Sequence, residues 1–199
     1  TGAKFVIATN SGTSALHLSL KSINVDKNSE VLVPTLNFAA SANAIKYCNA
    51  TPHFIDSSIY DLGVDAKKLF KYLKNISKIK NGTCYNKKTK KKISALILVH
   101  IFGYSGNVLE IKRICNLFKI ELIEDAAEAI GSFYKKKHLG TFGKLAALNF
   151  NGNKTITTGA GGAVITDNKQ LEKKIYSLSI VSKLPHKWKL EYGSIGYNY

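Results

Sequence analysis

The run Ile93-Ser-Ala-Leu-Ile-Leu-Val-His100 constrains the fold more than any other stretch. It is apolar almost throughout, with no alternation of apolar and polar positions. An extended segment of that kind must be covered on both faces, as in the middle of a parallel sheet flanked by helices. Strand-like runs at Phe5–Thr9, Glu30–Pro34, Thr51–Asp56, Glu121–Asp125, Ala146–Phe150 and Gly162–Thr166 accompany it. Helical patterns over Ser14–Ser22, Ala39–Cys48, Asp65–Ile76, Val108–Phe118 and Lys169–Ser177 separate most of them, with Asp65 placed to start its helix. Alternating strands and helices predict an α/β domain on a mixed, mostly parallel seven-stranded sheet. The last two strands are too close together for a helical crossover, so that part of the sheet is expected to be antiparallel.

The polar outlier is Ser77–Lys92, which carries the turn signal Asn81-Gly82 and reads as an exposed excursion. There is no internal repeat and no linker, so residues 1–199 are expected to form one domain.

Composition narrows the function classes. The formal net charge is +16, almost all from lysine, since Arg113 is the only arginine. Nucleic-acid binders draw on arginine for bidentate contacts. Here the lysines are spread, apart from Lys87, Lys88, Lys90, Lys91 and Lys92 and a smaller group at Lys135–Lys137. Such a pattern suits a solvated surface, and nucleic acid is not expected as a partner. No apolar run approaches the roughly 20 residues that a membrane span needs, so no membrane association is expected. Cys48, Cys84 and Cys115 are odd in number and lack metal-ligand spacing, which points to a reducing, cytoplasmic setting and to no metal site. The chain contains no methionine, so Thr1 is not an encoded start, and the sequence reads as a fragment truncated at both ends.

Ligands of open α/β sheets bind beyond the carboxyl ends of the strands. Four features lie there. Asn10-Ser-Gly12-Thr13-Ser14 opens a helix with small residues, which suits an anion at the helix N-terminus; a plain serine or threonine cap is the simpler explanation of the same residues. Phe38 lies just past a strand, where it could stack on a flat ring or belong to the core. Glu124-Asp125-Ala-Ala-Glu128 puts carboxylates at a strand end in an apolar setting, which is costly without a cation such as a protonated ring nitrogen. Alternatively, Asp125 caps the next segment and Glu128 is solvated. Lys154 sits in Asn149-Phe-Asn-Gly-Asn-Lys154-Thr-Ile-Thr-Thr-Gly159, among small neutral residues that offer it no salt bridge. A partly desolvated amine can form a Schiff base with an aldehyde. Phosphate cradle, stacking ring, pyridinium carboxylate and Schiff-base lysine together are what a pyridoxal 5′-phosphate site requires.

These stretches resemble the DegT/DnrJ/EryC1/StrS family of sugar aminotransferases, which have the aspartate aminotransferase-like fold (fold type I). The likeness runs through Asn10–His17, Val33–Ser41, Val99–Gly103, Glu124–Ala129, Phe150–Gly159 and Gly196–Tyr199, and spans essentially the whole chain. The Asn-Gly-Asn-Lys form is most similar to the branch that aminates UDP-linked 4-keto-6-deoxy sugars for surface glycans. The resemblance implies that Lys154 binds the cofactor covalently and shuttles a proton. Asp125 pairs with the pyridine nitrogen, Gly12 and Thr13 hold the phosphate, and Phe38 stacks on the ring. Glu128 takes a polar position beside the cofactor. Asn198 reaches the phosphate bound by the partner subunit of a homodimer with shared active sites. The implied substrates are a nucleotide sugar and an amino donor, by family habit glutamate. Asn149 stands where relatives carry a phosphate-binding serine, and Gly159-Ala160-Gly161-Gly162 departs mildly from the expected glycine run. The resemblance also implies that the C-terminal small domain is missing, so that this piece alone has little or no activity.

Four other functions fit parts of the pattern. Related sugar dehydratases replace the Schiff-base lysine with histidine, whereas Lys154 is a lysine. A non-catalytic protein of the same fold, or a basic nucleic-acid binder, would need no lysine chemistry. A nicotinamide-binding domain would need Gly-x-Gly-x-x-Gly after the first strand, and that is absent.

Overall fold

The computed structural model describes residues 1–184 and 188–199. Its elements follow the expected order. They are β1 (Phe5–Thr9), α1 (Gly12–Ser22), β2 (Ser29–Pro34), α2 (Ala39–Tyr47), β3 (Thr51–Ile55), α3 (Ala66–Ile76), β4 (Ser77–Lys80), β5 (Thr83–Asn86), β6 (Lys92–Val99), α4 (Val108–Phe118), β7 (Glu121–Asp125), β8 (Phe133–Tyr134), β9 (Lys137–His138), β10 (Leu145–Asn149), β11 (Gly162–Thr166) and α5 (Lys169–Ser179).

Seven strands form one continuous path in the order β1-β11-β10-β7-β6-β2-β3. The pairs β10·β7, β7·β6, β6·β2 and β2·β3 are parallel. The pairs β1·β11 and β11·β10 are antiparallel, as the short β10–β11 connection requires. The expected seven strands are therefore the spine, but the sheet has nine: β4 and β5 branch off as a hairpin paired with β6.

β6 explains the layering. Side chains alternate across a strand, so Leu96 and Leu98 join a core with α3 and α4, while Ala95 and Ile97 join a second core with α1, α2 and α5. Helices therefore cover both faces. The edge strand β1 keeps one face wet, with Val6 61% exposed.

The helix starts follow local chemistry. Ser11 Oγ accepts from Ser14 N at 3.1 Å, Asp65 Oδ1 from Lys68 N at 3.0 Å, and Asn168 Oδ1 from Leu171 N at 3.0 Å. Each capping oxygen satisfies a first-turn donor that has no partner within its helix.

The Ser77–Lys92 excursion is only partly as expected. Asn81 and Gly82 both take positive φ, as a tight two-residue hairpin turn demands. Cys84 and Asn86, however, are buried, and Asn86 Nδ2 donates to the buried Glu30 at 2.9 Å. The excursion is anchored by a carboxylate on β2 that local sequence gives no means of locating. Among the described residues, no helix is long and apolar enough to cross a membrane, and no group of His, Cys, Asp and Glu could hold a metal ion.

Candidate active site

The strands β1, β2, β6, β7 and β10 all run in one direction, so their carboxyl ends share one edge of the sheet. A cavity of about 250 Å³ opens there. Gly12, Thr13, Phe38, Asp125, Glu128, Asn149 and Lys154 line it, together with His100. A larger hollow of about 440 Å³ lies against β3 and α3, but its ion pair, Asp56 with Lys68, is more than half exposed. Convergent polar groups, more than size, mark the smaller cavity as the candidate site.

The α1 N-terminus opens onto the cavity at Gly12 and Thr13. Gly12 is glycine for a packing reason: a Cβ there would lie 2.8 Å from Asn149 Cβ at the end of β10. The α1 N-terminus and the carboxyl end of β10 can meet this closely only without that side chain. Asn149 Oδ1 accepts from Asn151 N at 3.2 Å, which leaves its amide N–H groups as the donors toward the cavity. Phe38 precedes α2 and is 78% exposed at the rim. It is therefore not a core residue.

Asp125 ends β7 and is 5% exposed. Its Oδ2 accepts from Ser41 Oγ of α2 at 2.7 Å and its Oδ1 from Ala127 N at 3.2 Å. Burial pushes its carboxyl up; these two hydrogen bonds, then the charge of Lys154, pull back only in part. Its neighbour Glu124 points to the opposite face and is fully buried. There His100 Nε2 lies 2.7 Å from Oε2, the N–H of Gly140 also donates to Oε2 at 2.8 Å, and the N–H groups of Phe142, at 2.7 Å, and Gly143 donate to Oε1. Burial again favours the neutral form, but the His100 hydrogen bond and the backbone donors outweigh it and hold Glu124 below the usual carboxylate range.

The expectation that Lys154 has no salt bridge is corrected. Its Nζ lies 3.1 Å from Glu128 Oε1, with the lysine side chain 15% exposed. The neutral loop supplies no partner, but the fold brings one from 26 positions away. Glu128 is accordingly not simply solvated. Its Oε2 accepts from Phe102 N at 3.0 Å, in a turn where Phe102 takes a φ of 51°.

Asn198 does not line the cavity. It lies in a terminal segment tied down by Tyr197 N to Leu178 O and Tyr199 N to Ser179 O, at 2.8 and 2.9 Å. Tyr199 borders a hollow next to the site, shared with Asn10 and Thr13.

Sequence reasoning missed Ser41 and His100 as members of the site. His100 follows a strand just as Asp125 ends one, and that position was its available signal. Ser41 had none, because it meets Asp125 across 84 residues.

Comparison with known proteins agrees with this geometry. The profile of the DegT/DnrJ/EryC1/StrS aminotransferase family matches residues 1–199. The chain is similar to a GDP-perosamine synthase of Escherichia coli O157:H7, with 36% identity over 98% of this chain and 49% of that protein. It is also similar to a UDP-4-amino-4,6-dideoxy-N-acetyl-beta-L-altrosamine transaminase of Campylobacter jejuni, with 38% identity over 100% of this chain and 49% of that protein. Among solved structures, NtdA from Bacillus subtilis with bound cofactor PMP superposes with a TM-score of 0.81 at 26% identity, over 98% of this chain and 41% of that one. The chain thus spans about half the length of the curated relatives it matches.

Proposed function

The chain belongs to the DegT/DnrJ/EryC1/StrS aminotransferase family, and from that premise we propose that the whole protein is a pyridoxal 5′-phosphate-dependent aminotransferase acting on a nucleotide-linked 4-keto-6-deoxy sugar. The observation that carries this reading is the placement of Lys154 and Asp125 on one 250 Å³ cavity, beneath an exposed Phe38.

The donor set fits the cofactor. Among the described residues Asp125 is a buried carboxyl with no ion pair of its own, and a ring N–H cation set against it would offset the penalty of burial. Gly12, Thr13 and Asn149 bring a helix N-terminus and amide donors together, as a phosphate needs. Phe38 offers a flat apolar face. When bound, the cofactor supplies an electron sink that stabilises negative charge on the substrate carbon.

The chain's own residues do the rest. Lys154 is the nucleophilic amine and, once released, the base that carries a proton between carbon atoms. Glu128 holds that amine near the cavity at 3.1 Å. Asp125, fixed by Ser41, keeps the ring nitrogen protonated. In this reading residues 1–199 are the cofactor-binding large domain, the amino donor is glutamate, and the enzyme works in the cytoplasm on surface-glycan precursors. It acts as a homodimer in which Asn198 reaches the partner subunit's site.

Borohydride reduction of the complete, cofactor-loaded protein, followed by peptide mapping, tests the assignment. A pyridoxyl group is expected on Lys154, and Lys154→Ala should abolish turnover with the fold intact. Cofactor bound without a label at Lys154, or no cofactor bound at all, would overturn the assignment.

A further inference from the structure

We infer that His100 is a positioning residue whose Nδ1 accepts a hydrogen bond from the molecule occupying the cavity, with Glu124 fixing the tautomer that makes this possible. The inference rests on reading the cavity as the cofactor and substrate site, and goes beyond it by adding a recognition group.

Glu124 fixes the His100 ring. Four donors converge on its two oxygens: His100 Nε2 and the N–H groups of Gly140, Phe142 and Gly143. An ionised carboxylate only accepts, so the His100 Nε2 atom facing it must carry hydrogen. In the neutral ring the other nitrogen, Nδ1, then presents a lone pair. That atom is buried and has no hydrogen-bond partner among the described residues.

A buried acceptor without a donor is costly, and folded proteins rarely leave one unless a ligand or water serves it. His100 borders the cavity, although only 1% of its surface is exposed. Its position is fixed at three points. The backbone N–H of His100 donates to Asp125 O at 3.1 Å. The ring is held by Glu124 at 2.7 Å. Beyond it the chain turns sharply through Phe102 and Gly103, both at positive φ, and a Cβ on Gly103 would lie 2.9 Å from Glu128 O.

His17 provides a contrast. Its Nε2 is also buried without a partner, but its ring sits in a cage of Tyr47, Tyr197 and Tyr199 and does not border this cavity. An unpartnered nitrogen is therefore not the whole signal at His100. The signal is that nitrogen combined with a tautomer lock and a place beside Asp125. The donor that meets it is an N–H or O–H group, carried either by the cofactor or by the sugar.

Nitrogen NMR of the complete protein, with ¹⁵N-labelled histidine, separates these sources. In the cofactor-free protein the His100 proton is expected on Nε2. Pyridoxal 5′-phosphate is then added alone, followed by a UDP-linked 4-amino-4,6-dideoxy sugar. A shift of the Nδ1 resonance toward the hydrogen-bonded range in the first step assigns the donor to the cofactor. A shift only in the second assigns it to the sugar. His100→Phe, which keeps an aromatic ring but removes both the Nδ1 acceptor and the Nε2 donor to Glu124, should weaken binding of the ligand responsible by roughly tenfold. A proton on Nδ1, or binding of both probes with no Nδ1 shift, overturns the inference even if His100→Phe fails to fold. Failure of pyridoxal 5′-phosphate to bind at all would instead overturn the functional reading beneath it.

Discussion

Replacing Ser41 with alanine isolates the device that sets the proton affinity of Asp125. Ser41 is fully buried, Asp125 is 5% exposed, and the Oγ–Oδ2 distance is 2.7 Å. A hydrogen bond to a charged acceptor is worth about 1.5–3 kcal/mol and one to a neutral acceptor about 0.5–1.5. Losing the hydroxyl therefore disfavours the ionised carboxylate over the neutral acid by about 1–1.5 kcal/mol, which is about one further pKa unit upward. The sign for stability follows from linkage. Asp125 already has a folded pKa above its unfolded value, so the penalty on the fold is absent at low pH, grows as pH rises past the unfolded value and levels off above the folded one. Ser41→Ala should deepen that penalty. Its cost should be about 0.5–1.5 kcal/mol where Asp125 is protonated and about 1.5–3 kcal/mol where it is ionised. Urea unfolding of the cofactor-free complete protein across pH, with the carboxyl followed by infrared difference spectroscopy, reads both quantities. A double-mutant cycle with Asp125→Asn should abolish the pH-dependent part. A cost independent of pH, or an Asp125 pKa that stays put, would refute the reasoning.

Three further outcomes are expected. Gly12→Ala should cost about 1–3 kcal/mol in urea unfolding, because the new Cβ meets Asn149 Cβ at 2.8 Å and two backbone ends must move; phosphate affinity, read by isothermal titration, should fall with it. Glu124→Gln should be severely destabilising, by about 3–5 kcal/mol at neutral pH in the same assay, since it breaks a buried network; because the Glu124 pKa lies below its unfolded value, the native stabilisation is present above that unfolded value and lost as pH falls through the folded one. Phe38→Ala should leave stability within about 0.5 kcal/mol, as suits a side chain 78% exposed, while raising the Kd for pyridoxal 5′-phosphate measured by absorbance.

Much of the fold is legible because its causes are local. Periodicity places the strands, and oxygen-bearing residues such as Ser11, Asp65 and Asn168 mark helix starts. The β8–β9 hairpin escapes because its turn is made by Lys135 and Lys136 at positive φ, where glycine or asparagine would have announced it. The site residues are legible as strand ends, but their pairings are not. Lys154 with Glu128, Ser41 with Asp125 and Asn86 with Glu30 are contacts of sequence separation 26, 84 and 56. Such contacts depend on the sheet order, which brings β10 beside β7, and no local pattern encodes that order.

The paired carboxylates at the end of β7 have a consequence for how this segment can change. Glu124 and Asp125 are adjacent and chemically alike, yet one is pushed toward its ionised form and the other toward its neutral form. Only the alternation of the strand separates them. A slip of β7 by one residue against β6 and β10 would turn every side chain of the strand to the opposite face. One of the two carboxyls would then stand in the other's place, and an apolar neighbour, Ile123 or Ala126, would fill the place it left. Single insertions or deletions between Glu121 and Asp125 should therefore be far more damaging than substitutions that keep the count. The number of residues in the strand is as much a part of the site as their identity.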